Sequence, residues 1–177
     1  IMYTMEGLLI MEEYGKDFTT ENVGESWLKY VPYGYTAEEA ALRNLKKGFK
    51  GEAAALDHNP YLQLIGADIR SDPWAYMAPG HPELAAEFAY RDAMLTHRRN
   101  GVYGAMYFAA AEAIAFCVDD PMDALKLAMN EIPQDCLLAR SLRWAFKECP
   151  NIHSYLEARE AVNKRFPDMP IAHTLNN

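Results

Sequence analysis

The chain is poor in cysteine, in positive charge and in long apolar runs, and each shortage excludes something. Three cysteines stand among 177 residues, Cys117, Cys136 and Cys149, an odd number with no Cys-x-x-Cys spacing. That argues against a disulfide framework and fits a reducing compartment, so a cytoplasmic location is the expectation. Cys117 and Cys136 fall within apolar helical patterns and are read as buried, reduced thiols. Lys and Arg number 17 against 25 Asp and Glu, a formal net charge of −8. An acidic chain lacks the clustered cations that general nucleic-acid binding needs, so no nucleic-acid partner is expected. A local cationic pocket for a small phosphorylated ligand stays open. No segment reaches the ~18 consecutive apolar residues of a membrane span. The start, IMYTMEGLLIM, has no basic stretch ahead of its apolar residues and does not read as a signal peptide. It begins with Ile rather than Met, which points to a fragment or a processed piece.

What is present is helical periodicity. Residues 4–15 carry Met5, Leu8, Leu9 and Met11, with Gly15 as a stop. Residues 19–32 open on Thr19 or Thr20 as cap, place Val23, Trp27, Leu28 and Val31 on one face, and end at Pro32. Thr36 and Glu39 have capping-box spacing, in which each side chain satisfies a free amide at the helix start. Gly48 follows the basic pair Lys46 and Lys47, as helix C-termini prefer. Residues 50–81 are less regular, with turn signals at Asn59-Pro60, Asp72-Pro73 and Pro79-Gly80. Helices resume with Pro82 at a first helical position, and Asp120-Pro121 reads as an N-cap followed by proline. Nothing alternates as a strand does. The pattern predicts about eight helices in one all-α, compact multi-helix domain, large enough to bury roughly 70% of its unfolded surface.

Two stretches carry candidate chemistry. The first is THRRNGVYGAMYFAAAEAIAF, residues 96–116. The helix from Pro82 ends at Thr96-His97, Arg98 and Arg99 add charge, and Asn100-Gly101 is a turn dipeptide. The next helix is expected near Val102, so its free amides and the neighbouring cations would make an anion site. Gly104 and the alanines after it keep that helix thin, which allows either close packing or space for a ligand beside it. Tyr103 stands next to the turn, whereas Tyr107, Phe108 and Phe116 fall at core spacing. An ordinary helix–turn–helix corner with its arginines in solvent is the competing reading. The second stretch is GADIRSDPW, residues 66–74. Gly66 would let a backbone approach a ligand, and Arg70 lies between Asp68 and Asp72, where a local salt-bridge cluster is the plainer reading. The five histidines show no metal-binding spacing, so no zinc site is read.

The order of these stretches resembles the ADP-ribosylglycohydrolase family, which also includes the J-type lens crystallins. The resembling pieces are YTMEGLLIMEEYGKDFT, the long stretch from Ile65 to Phe116, and the terminal HTLNN. Within the long stretch lie Gly66-Ala67-Asp68-Ile69-Arg70, Pro79 through Ala85, Thr96-His97 and Gly101-Val102-Tyr103-Gly104-Ala105. The resemblance implies an all-α fold holding two magnesium ions beside a cleft for ADP-ribose, and hydrolysis of the glycosidic bond between ADP-ribose and a modified side chain or related N-riboside. By position, Gly66, Thr96, His97, Asn100, Gly101, Tyr103 and Gly104 are the implied ligand-binding residues.

The same resemblance puts the family's metal ligands in two acidic segments, one just before residue 1 and one soon after HTLNN. Residues 1–177 thus read as the central part of such a domain, with both metal-binding flanks absent, no metal ligand assigned and the catalytic residues unknown. Leu64-Ile65-Gly66 stands where many members have Gly-Asn-Gly. The expectation is a magnesium-dependent hydrolase in the parent protein and an inactive isolated chain. Its partners would be ADP-ribose or an ADP-ribosylated substrate, with a homo-oligomer or a complementing chain over the exposed edge. The rival reading is a non-catalytic helical module that binds a nucleotide or plays a structural role.

Overall fold

The computed structural model describes residues 2–176, so Ile1 and the last asparagine of HTLNN, Asn177, lie outside the described residues. Nine α-helices follow in order among them: α1 (Met2–Tyr14), α2 (Thr20–Tyr30), α3 (Thr36–Lys46), α4 (Asp72–Tyr76), α5 (Pro82–Ala93), α6 (Asn100–Ala115), α7 (Pro121–Ala128), α8 (Leu137–Glu148) and α9 (Tyr155–Arg165). The helix beyond the eight expected is α4, a short one inside the stretch read as irregular. Among the described residues there is no strand, only an isolated antiparallel bridge between Leu64 and His173. The fold is all-α.

α6 is the axis of the molecule. Its alanines have high helix propensity and let neighbours come close on every side. Val102, Ala105, Ala109 and Ala113 face a core built with Ile10, Phe18, Trp27, Leu45, Trp74 and Phe88. Tyr107, Ala110, Ala111 and Ile114 face a second core, built with Ala124, Ile132, Leu138 and Leu175. A helix apolar all round is a buried one. The C-terminal segment returns to the middle of the chain, where Ile65 N donates to Ala172 O at 2.9 Å and Thr174 N to Gln63 O at 3.1 Å.

Several local readings hold. Thr19 and Asn22 form a reciprocal capping box on α2, and the Asp120 side chain accepts from Met122 N ahead of Pro121. Gly15 and Gly48 end their helices with φ of 69° and 95°, a conformation glycine adopts without penalty. Others are corrected. Tyr35 precedes α3 without a side-chain cap, Thr36 is the first residue of α3 and takes a left-handed φ of 48°, and Glu39 pairs with Arg43 instead. A Cβ on Gly34 would lie 2.8 Å from the Glu38 carbonyl carbon, so the chain enters α3 through a bend too tight for a box. Cys117 is exposed because the chain leaves the core after α6, and Cys136 is half-buried because its sulfur caps α8, accepting from Ala139 N. Phe108 and Phe116, expected in the core, are exposed.

Candidate functional site

The first core is crossed by a buried charged network that grows from α3, α5 and the turn before α4. Arg70 donates from Nη1 to Glu38 Oε1 at 2.7 Å, from Nε to Asp92 Oδ2 at 2.7 Å and from Nη2 to Thr96 Oγ1 at 2.7 Å. Its guanidinium carbon lies 5.1 Å from the Trp27 ring centre and 5.8 Å from that of Tyr3, within reach of a cation–π attraction. Asp68 and Asp72, its neighbours in sequence, are not its ion-pair partners, so the local salt-bridge reading is corrected. The facing helices α3 and α5 present Glu38 and Asp92 directly to the buried guanidinium. Burial pushes the Glu38 and Asp92 carboxyls above their ordinary range, and Arg70 only partly draws them back.

The implied ligand residues divide around this network. Thr96 and His97 are fully buried, and His97 Nδ1 shares a hydrogen bond of 2.6 Å with Thr96 Oγ1. His97 Nε2 has no partner, and burial together with the charges of Arg70 and Arg98 holds the ring well below the usual histidine range, hence neutral. A Cβ on Gly66 would lie 2.1 Å from Glu38 Oε1, and one on Gly104 would lie 2.4 Å from Asp68 Oδ1. Both glycines thus let a backbone rest against a buried carboxylate. Asp68 Oδ1 has no partner, and burial raises that carboxyl well above its usual range.

Asn100, Gly101 and Tyr103 turn elsewhere. Asn100 donates to Gln63 Oε1 at 2.8 Å and accepts from Leu138 N at 3.0 Å, tying α6 to the start of α8. A Cβ on Gly101 would lie 2.6 Å from Leu62 O. Tyr103 packs at the border of the second core. α6 begins at Asn100, two residues earlier than expected, with Arg99 ahead of it at φ of 53°. The amides of Gly101, Val102 and Tyr103 donate to Arg98 O, Arg99 O and Arg99 O. Arg98 does not stand in solvent: its guanidinium donates to the carbonyls of Met94, His97 and Glu52 and binds the turn to residues 51–55. Arg99 is exposed.

One cavity adjoins this cluster. It has a volume of about 170 Å³ and is walled by Tyr3, Tyr35, Leu64, Ile65, Ile69 and Ala172, with Thr36, Glu38 and Gly66 completing it. Of the seven implied ligand residues, only Gly66 lines it. Glu38, Asp92 and the tyrosines were missed in the sequence. The acids had a signal, since Glu38 stands at helical spacing with Leu42 and Leu45, and Asp92 with Ala85, Phe88 and Ala89. A carboxylate on an apolar helical face needs a buried partner.

Between α4 and the C-terminal end of α6, Asp72, Tyr76, Glu112, Ala115 and Phe116 line a wider hollow of about 330 Å³. Burial, then the neighbouring Asp72, pushes the Glu112 carboxyl up to about 7.

The model of the ADP-ribosylglycohydrolase family matches residues 2–176. Searches among curated proteins and among solved structures returned no match. With the family model running from α1 to the last turn of the described chain, the chain belongs to the ADP-ribosylglycohydrolase family.

Proposed function

We propose that this chain contributes the ADP-ribose-binding part of a hydrolase that cleaves the glycosidic bond between ADP-ribose and a modified side chain or related N-riboside. The observation that carries the reading is the family match over nearly the whole chain. The cavity beside Gly66 is the place assigned to the ligand. Its walls are apolar and screen the bound group from water, while Glu38 supplies a carboxylate that Arg70 holds in place. Thr96 and His97 act from beneath, Thr96 by orienting Arg70 and His97 by filling the corner under α6. Gly104 allows α6 to close on Asp68.

The magnesium ions that the resemblance implies do not find a site in these residues. Among the described residues no three His, Cys, Asp or Glu side chains converge so as to hold a metal ion. Glu38, the carboxylate that lines the cavity, and Asp92 behind it in the network are already bound to Arg70. These residues therefore bind and position, and no catalytic step is assigned to them. The 177 residues alone are expected to bind an ADP-ribosylated arginine or serine peptide in preference to the unmodified peptide, and to leave the bond intact with magnesium present. Equal binding of both peptides would contradict the reading, and release of ADP-ribose would overturn the assignment of a purely binding role to these residues. Among the described residues no helix is long and apolar enough to cross a membrane.

A further inference from the structure

The chain carries a formal net charge of −8, yet one groove on its surface is cationic. The groove has a volume of about 480 Å³ and lies between α3 and the connector from α2. Arg43, Lys46 and Lys47 line it against a single acid, Glu39. Spacings of three and four residues put the three cations on one face at the end of the helix. Residues 33–36 divide this groove from the cavity beside Gly66, with Tyr33 and Gly34 lining the one and Tyr35 and Thr36 the other. No lining residue is common to both, so the groove stands apart from the ADP-ribosyl reading.

These cations are not consumed within the chain. Lys46 is exposed and has no ion-pair partner among the described residues. Arg43 reaches Glu39 at 3.2 Å and Lys47 reaches Asp57 at 3.4 Å. Both pairs lie at the surface, where such contacts contribute little and exchange readily. The dipole of α3 favours cations at its last turn, but it does not account for the wall they face. That wall is backbone. Val31 and Tyr35, on either side of it, are both extended. Among the described residues the amides of Tyr33 and Gly34, and the carbonyls of Pro32, Tyr33 and Gly34, have no protein partner. Tyr33 is 58% exposed and its ring stands edge-on to that of Tyr35.

An extended polypeptide with acidic side chains matches both walls. Its carboxylates meet the cations of α3, and its main chain finds donors and acceptors along residues 32–34, as a strand does when it joins an exposed edge. A nucleic-acid strand has no amide backbone to pair there, and its dense charge is repelled by the acidic remainder of the chain. A lone phosphate uses the cations and leaves the backbone wall idle. We propose that this groove docks an acidic, extended segment of a partner protein. Arg43, Lys46 and Lys47 hold its carboxylates, residues 32–34 pair with its main chain, and Tyr33 covers its apolar parts.

The test is fluorescence anisotropy on the full chain with two labelled probes, a hexaglutamate peptide and its hexaglutamine counterpart. The glutamate peptide is expected to bind at least about tenfold more tightly, and to weaken as salt is added. Lys46→Glu and Lys164→Glu change the net charge equally, and Lys164 is exposed on α9, outside the groove. The first is expected to weaken binding of the glutamate peptide at least about fivefold, and the second less than about twofold. Equal losses in the two variants would reduce the effect to net charge and overturn the inference. Equal binding of the two peptides, no binding of hexaglutamate, or a labelled hexathymidylate bound as tightly as hexaglutamate would overturn it as well. The peptide comparison uses the unaltered chain and needs no variant to fold. None of these outcomes bears on the ADP-ribosyl reading, whose cavity lies on the other side of residues 33–36.

Discussion

Arg70 is the residue on which the first core turns. Among the described residues it shares the buried interior with four carboxylates, Glu6, Glu38, Asp68 and Asp92. Burial raises all four, the expected response of carboxyls taken out of water, and Arg70 draws back only Glu38, Asp68 and Asp92. Its ion pairs with Glu38 and Asp92 join side chains that are at most 6% exposed. Such pairs add little over an apolar substitute of equal volume, but removing one partner strands the other charge. Arg70→Met is therefore expected to cost about 3–5 kcal/mol in chemical denaturation; a loss under about 1 kcal/mol would show the network to be peripheral. At this scale the sequence was half legible. Arg70 stood out, but its partners lie 32 and 22 residues away, and only the fold brings α3 and α5 to it. His97 was legible as a special residue, and its full burial was not, because nothing in the adjacent arginines tells that Arg98 folds back to cap α5.

At the scale of the element, α6 decides how tightly the molecule closes. Its glycine at 104 looked from the sequence like a device for thinness, with packing and ligand space equally open. The structure places a buried carboxylate there, 2.4 Å from where a Cβ would stand. Gly104→Ala sets two effects against each other. Alanine in a helix interior is worth about 1 kcal/mol over glycine, whereas overpacking costs about 1–3 kcal/mol. Asp68 is buried and cannot swing into solvent, so the second effect wins and the variant is expected to melt lower than the parent in a thermal scan. A higher melting temperature would mean that Asp68 moves freely. Helix starts and stops were legible where a cap or glycine acts within one turn, as at Thr19, Gly15 and Asp120. Thr36 was misleading because the bend at Gly34, a contact with the next turn, overrides the capping pattern.

At the scale of the whole molecule, the all-α architecture and the family followed from periodicity and from the ordered stretches between Ile65 and Phe116. The cavity did not. It is assembled from α1, the start of α3, residues 64–69 and Ala172, pieces that share no local pattern, the last of them brought in where the C-terminal segment pairs with Leu64. The central claim is that this assembled cavity is where ADP-ribose sits. Its most direct test is a calorimetric titration of ADP-ribose into the chain and into Tyr35→Ala, a rim variant 75% exposed in the parent and so safe for folding. The account predicts saturable one-to-one binding to the parent, weakened about tenfold by the substitution, the loss of roughly 1.4 kcal/mol of contact. Binding that ignores Tyr35, or no binding at all, would contradict it.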